Sequence, residues 1–271
     1  MTNGKLAGRV ALVTGAARGQ GRSHAVRFAR EGADVILVDV CAPVTDLGYP
    51  PASPDDLDET AGAAEKAGAR VVTAVADVRD LDALQQAVER GAAELGRLDV
   101  VVANAGISAW GRLWEITPDQ WRAVLDTNLT GTWHTLKAAA PLMIKAGNGG
   151  SIITISSMAA LKPLPAQAHY GASKHGVVGL TRAAALELGE YGIRANSVHP
   201  WTVETDMATD TALGELLRNN ESYLKSFGQV LTEPPMAAPS DITDAVLWLA
   251  SDDSRTVTGI ALPVALGATL V

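Results

Sequence analysis

Apolar residues in this chain fall into short unbroken runs, separated by stretches with helical spacing. Val10–Thr14 (VALVT), Asp34–Val38 (DVILV), Ala69–Ala76, Asp99–Ala103 (DVVVA), Ser151–Ser156 (SIITIS), Arg194–His199 and Thr258–Pro263 read as strands. Runs that are apolar throughout, rather than alternating, belong to strands covered on both faces, the usual state of a parallel sheet. Gly21–Glu31, Leu57–Ala67, Leu81–Leu95, Tyr170–Gly189 and Ser240–Ala250 read as helices. Thr117-Pro118-Asp119 starts another, with proline in the first turn and an acid at the positive dipole end, running through Trp133 to about Lys145. The alternation predicts one α/β domain over 1–271, a doubly wound parallel sheet of about seven strands with helices on both faces.

Two stretches break the alternation. Residues 40–56 (VCAPVTDLGYPPASPDD) carry Pro43, Pro50, Pro51 and Pro54 with a single glycine, Gly48, where a short turn into a helix is expected. They read as an insertion stiffened by proline. Residues 205–231 show little strand character and several polar turns, and read as a lid over a substrate.

Composition then removes whole classes of partner. A formal charge of −8 argues against nucleic acid or an anionic membrane. Cys41 is the single cysteine, so no internal disulfide is possible and a reducing compartment is compatible. No signal-like segment opens the chain, and no apolar run reaches the roughly 20 residues that span a bilayer, so a soluble cytoplasmic protein is expected. The five histidines show no paired metal spacing, which predicts no metal site; His169 and His175 flank Tyr170 without an evident acid partner. No GxSxG elbow occurs.

The chemistry concentrates in two places. TGAARGQG, Thr14–Gly21, follows the first strand and opens the first helix, where glycines 15, 19 and 21 let backbone N–H groups approach a diphosphate at the positive end of the helix. The motif carries Gln20 and Arg18 between those glycines, and no lysine follows Gly21 as a P-loop would need. Asp39 closes the second strand beside Val40; an acid there accepts hydrogen bonds from an adenosine ribose and repels a 2′-phosphate, favouring NAD over NADP. Arg18 is a counter-signal, since it could attract that phosphate. Further on, Tyr170 and Lys174 sit four apart on one helix face, and Ser157 ends the preceding strand. A phenol ordinarily titrates near 10, so acid–base work at neutral pH requires a neighbouring cation, which Lys174 can supply. Taken alone, a Tyr–Lys pair more often decorates a helix; with the glycine turn and Asp39 that bland reading gives way to a functional one.

The ordered set TGAARGQG, Asp77-Val78, Asn104-Ala105-Gly106, Asn128, Ser157, Tyr170–Lys174 and Asn196/Pro200 resembles the short-chain dehydrogenase/reductase family over nearly the whole chain. The resemblance implies that Tyr170 is the general acid/base, Ser157 orients the reacting oxygen, Lys174 lowers the phenol pKa and contacts the nicotinamide ribose, and Asn128 holds a relay water. It implies that Asp77 and Val78 meet adenine, that 104–106 pass along the cofactor, and that Pro200, Val203 and Thr205 lie at the nicotinamide and phosphate end. Hydride transfer between NAD and a secondary alcohol or ketone follows, in a homotetramer built on the helices around Asn128 and Tyr170. The DVCAP start and the insertion resemble the carveol-dehydrogenase-like, mycofactocin-associated branch, which implies that NAD is held without release and that an external electron acceptor is needed. Ala103 in place of a first Asn, Trp201 after Pro200, and the tail PVALGATLV depart from the usual pattern.

For the substrate, Trp110, Met158, Leu161, Trp201 and Met207 lie near the site in sequence and read as an apolar pocket for a small cyclic or terpenoid alcohol. An NADPH-linked ketoacyl reductase and a non-catalytic cofactor-sensing protein stand as alternatives.

Overall fold

A computed structural model describes residues 4–271; the first three residues of the expected domain lie outside it. One sheet carries seven parallel strands in the order β3-β2-β1-β4-β5-β6-β7. These are β1 (Val10–Thr14), β2 (Asp34–Asp39), β3 (Val71–Val75), β4 (Val100–Ala103), β5 (Gly150–Ile155), β6 (Ile193–Pro200) and β7 (Ala261–Val264). Helices α1 (Gly19–Arg30), α2 (Pro54–Lys66) and α8 (Pro239–Ala250) cover one face. On the other lie α3 (Leu81–Leu95), α5 (Gly131–Ala146) and α6 (Ala168–Leu188).

The unbroken apolar runs have a direct cause. Ala11, Val13, Val35 and Leu37 join the core with Phe28, Leu57 and Val246. Their neighbours Val10, Leu12, Ile36 and Val38 join the opposite core with Leu84, Leu136 and Met143. Successive side chains therefore enter different cores, and both must be apolar. The chain fills the sheet outward from β1 through β2 to β3, then returns to pair β4 on the other side of β1. That reversal parts the loops leaving β1 and β4 and opens a crevice at the carboxyl ends of the strands.

The helix expected from Pro118 to about Lys145 is three pieces: α4 (Pro118–Leu125), a π-helical turn over Asp126–Thr130, and α5. The wider turn holds Asn128, whose side chain exchanges two hydrogen bonds with the Ile107 backbone. Helix α2 begins at Pro54, capped by Ser53 and Asp56, so the proline-rich loop runs only over 40–53 and Pro54 initiates a helix. Within the expected lid, Thr211–Asn219 forms α7, a helix the sequence pattern did not indicate.

How tightly α3 lies on the sheet is measurable. A Cβ at Gly91 would fall 2.8 Å from three carbons of the buried Ile36, whereas nothing lies within 4 Å of one at Gly62 in α2. Gly91→Ala is expected to cost about 1–2 kcal/mol net, lowering Tm by roughly 3–6 °C, because overpacking outweighs the helix preference of alanine. Gly62→Ala should gain up to about 1 kcal/mol. Thermal denaturation of both variants tests the pair, and a rise in Tm for Gly91→Ala would contradict the packing described.

Candidate active site

The crevice is built first from glycine. Gly15 adopts φ +65, and a Cβ there would lie 2.8 Å from Ala105 Cα; one at Gly21 would collide with the Gly15 carbonyl at 1.9 Å. Asn104 binds the same turn, donating from Nδ2 to the Thr14 and Gly15 carbonyls at 3.0 and 3.1 Å. The Thr14 hydroxyl accepts from the Asn104 and Ala105 amides. Asn104 therefore braces β1 against β4. Helix α1 starts here without a side-chain cap and without an acid in its first turn, and the buried Oε1 of Gln20 has no partner. Free N–H groups and a positive dipole end suit a diphosphate.

Asp39, buried at the end of β2, accepts the Ala17 amide on one oxygen (3.0 Å) and the Cys41 amide on the other (3.1 Å). Each oxygen keeps a lone pair for a ribose hydroxyl. Arg18 is already engaged. Its guanidinium bonds Asp206 at 2.8 Å and the Pro50 carbonyl, bridging the 40–53 loop and the 205–231 segment. Asp77 is chelated by Arg79; burial raises its pKa, but the Arg79 hydrogen bonds outweigh that and hold it below the usual carboxylate range. The Val78 carbonyl is fixed by His134 Nδ1 at 2.8 Å.

At the other end of the crevice, β5 delivers Ser157 and α6 delivers Tyr170 and Lys174. The Lys174 ammonium donates to the Ile155 carbonyl at 2.8 Å and lies 5.7 Å from the Tyr170 ring centre. Burial lowers its pKa from 10.5 to about 8. Burial also raises the Tyr170 phenol, while a hydrogen bond with Ser157 pulls the other way. His199 was not anticipated. Its Nδ1 meets the Ser157 carbonyl at 2.8 Å and its Nε2 meets the Ser197 hydroxyl at 2.8 Å. Because a carbonyl only accepts, Nδ1 carries the proton, and burial lowers the ring to about 4, so it is neutral near pH 7. It holds the backbone from which Ser157 projects. The signal was a histidine ending a buried strand, indistinguishable from core packing.

All residues expected at the cofactor, from Gly15 to Thr205, line one continuous cavity of about 350 Å³ that also contains Ser157, Tyr170 and Lys174. Asn128 does not line it; it is fully buried, and its main-chain oxygen accepts the Thr132 hydroxyl at 2.7 Å. Of the expected substrate pocket, Trp110, Trp201 and Met207 line the cavity. Met158 is buried against Ala265 and Ala268, and Leu161 is 40% exposed. Neither lines the crevice. Phe227, 6.0 Å from Trp110 and 6.1 Å from Trp201, completes an aromatic wall that the sequence did not reveal, because Phe227 arrives from the far end of the lid segment. Among the described residues no cluster of potential metal ligands occurs.

A family model described as enoyl-(acyl carrier protein) reductase matches residues 15–269. A short-chain dehydrogenase from Mycobacterium paratuberculosis, solved bound to NAD, is 51% identical, with 99% of this chain and 100% of that one aligned at a TM-score of 0.97. Carveol dehydrogenase from Mycobacterium avium, solved in complex with NAD, is 46% identical over 99% of this chain and 100% of its own, with a TM-score of 0.94. A (-)-trans-carveol dehydrogenase of Rhodococcus erythropolis is 45% identical over 98% of this chain and 99% of its own.

The depressed Lys174 pKa has a consequence for stability. Between its folded value of about 8 and its ordinary 10.5, the unfolded chain binds more protons than the folded one, so stability rises with pH across that window. Lys174→Met lacks this rise. The wild-type-minus-variant difference in unfolding free energy should grow by about 1–2 kcal/mol from pH 7.5 to 9.5, read from denaturant titrations. A flat difference would contradict the buried ammonium.

Proposed function

The chain belongs to the short-chain dehydrogenase/reductase family, and from that premise we propose that it moves a hydride between NAD and a small cyclic or terpenoid secondary alcohol, or the corresponding ketone. The observation carrying this is the single cavity joining the glycine turn and Asp39 to Ser157, Tyr170 and Lys174, walled on the substrate side by Trp110, Trp201 and Phe227. The residues fit the cofactor: the uncapped α1 terminus and its glycine turn, bordered by Gln20, would take the diphosphate, and Asp39 beside Val40 the adenosine ribose. Asp77 and Val78 border the adenine, and Lys174 the other ribose. Pro200, Val203 and Thr205 border the nicotinamide. Preference for NAD over NADP is supported by Asp39 and by Arg18, whose guanidinium is committed to Asp206 and Pro50.

Bound NAD supplies the hydride acceptor or donor. The protein's own work is on oxygen and proton. Ser157 holds the substrate oxygen by a hydrogen bond, and Tyr170 takes its proton during oxidation or returns it during reduction. Lys174 stabilises phenolate by its charge, an effect strengthened by exclusion of water from the crevice. The aromatic wall favours an apolar ring such as that of carveol over a charged substrate. Exposed Trp121 on α4, Trp133 on α5 and Leu186 on α6 support assembly through this helical face into a homotetramer. A free Cys41, and the lack among described residues of any helix long and apolar enough to cross a membrane, fit a protein working in the cytoplasm.

Retention of NAD between turnovers, with an external electron acceptor, is supported by the way two segments close on the crevice. Arg18 ties the loop 40–53 to Asp206, and Gly48 lies so close to Asp210 that a Cβ would come within 2.1 Å of its carboxylate.

Tyr170→Phe is expected to lower kcat about 10³-fold while leaving NAD affinity within about twofold; unchanged turnover would refute the mechanism. Freshly purified protein, once denatured, should release NAD into the supernatant at near one equivalent. Asp206→Ala should speed NAD dissociation about two- to fivefold, the scale of one partly exposed ion pair. Protein that is free of NAD yet turns over briskly with added NAD would rule retention out.

A further inference from the structure

The loop 40–53 does more than border the adenosine. It leaves Asp39, crosses the crevice and delivers Tyr49 to the substrate end. The ring is buried, lines the shared cavity, and lies close enough to feel the Tyr170 phenol. Val44 and Leu47, from the same loop, pack with Tyr170 against Ile107, Ala109 and Val124. The Tyr49 hydroxyl accepts the Ser108 amide at 3.0 Å and donates to the Ser108 carbonyl at 3.3 Å. Burial pushes this phenol up to about 12, so it stays protonated and keeps its donor.

The neighbouring residue shows what this does. Ile107 has its amide and carbonyl held by Asn128, and Ser108 has both held by Tyr49. Two side chains from distant parts of the chain thus satisfy four consecutive backbone groups of a segment that belongs to no strand or helix. The Ser108 hydroxyl is oriented by Gln167, whose Nε2 donates to it at 3.0 Å, leaving the hydroxyl proton free to point into the cavity. Both Ser108 and Gln167 are buried.

We propose that Tyr49 is a specificity-determining residue for the reaction inferred above. Its ring limits the depth of the substrate chamber, and its hydroxyl fixes Ser108 as a polar group facing the substrate. The chamber then accepts a compact monocyclic alcohol and rejects a fused bicyclic one. This inference rests on the hydride-transfer reading for its kinetic arm alone.

The experiment compares cyclohexanol with decahydro-2-naphthol at saturating NAD, with a redox dye as electron acceptor so that bound NADH is reoxidised in place, and the corresponding ketones by quenching of tryptophan fluorescence in the NAD-bound protein, where Trp110 and Trp201 line the chamber. Tyr49→Ala is expected to shift the ratio of kcat/KM, and of ketone Kd, about tenfold toward the bicyclic ring. Tyr49→Phe keeps the wall and should shift the ratio less than about twofold, but raise KM for cyclohexanol about fivefold with kcat unchanged. NAD retention should be unaffected in Tyr49→Phe. Should the wild type oxidise neither alcohol, the hydride-transfer reading fails, while the ketone titrations still test Tyr49. An unchanged ring preference in Tyr49→Ala, or in Tyr49→Phe an unchanged KM or a loss of NAD retention equal to its loss of activity, overturns the proposal.

Discussion

Everything chemical in this protein depends on one topological constraint: the sheet reverses its order at β1. Parallel strands put all their carboxyl ends on one edge, and only where the order turns back do two adjacent loops diverge rather than pack together. The glycine turn after β1 and the Asn104–Gly106 segment after β4 are those two loops. Their separation is small enough that Gly15 tolerates no side chain against Ala105, and Asn104 must bridge them. The reacting groups come from β5 and α6, one strand further along, so the cavity extends along the sheet edge instead of into the core.

A second constraint is electrostatic. A lysine buried beside a phenol is held by a single backbone carbonyl, and its charge is costly there. The fold accepts that cost because Lys174 sits one turn from Tyr170 on a long helix, packed so that neither can move away. His199 plays the supporting part on the opposite side: neutral, fully partnered, and fixing the Ser157 backbone without adding a competing charge.

The inner strands and most helices were legible because β1, β2, β4, β5 and β6 are covered on both faces, which leaves a pattern that few other arrangements share. The glycine turn, Asp39 and the Ser157–Tyr170–Lys174 set were legible because their chemistry demands those residue types at those places. What escaped was set by long-range packing. The π-turn at Asn128 answers to Ile107, and α7 has too short and mixed a pattern to stand out. Met158 and Leu161 are near Ser157 in sequence but do not line the cavity, Met158 being buried against the C-terminal segment at Ala265 and Ala268. Phe227 and Tyr49 reach the chamber from segments whose local pattern says only that they are loops. The proline-rich stretch was visible as an anomaly, and its place at the adenosine edge was inferable; its reach to Ser108 was not.

The position of Arg18 bears on attempts to redesign this protein. Exchanging the acid at the end of β2 for a neutral residue is the obvious way to admit a phosphorylated cofactor, with a nearby guanidinium left to bind the extra phosphate. Here that guanidinium already closes a bridge between two surface segments. Recruiting it would unfasten the bridge, and keeping the bridge would leave the phosphate without a partner. Cofactor choice and closure thus share one side chain, and an engineer who wants to alter the first independently must import a second cation.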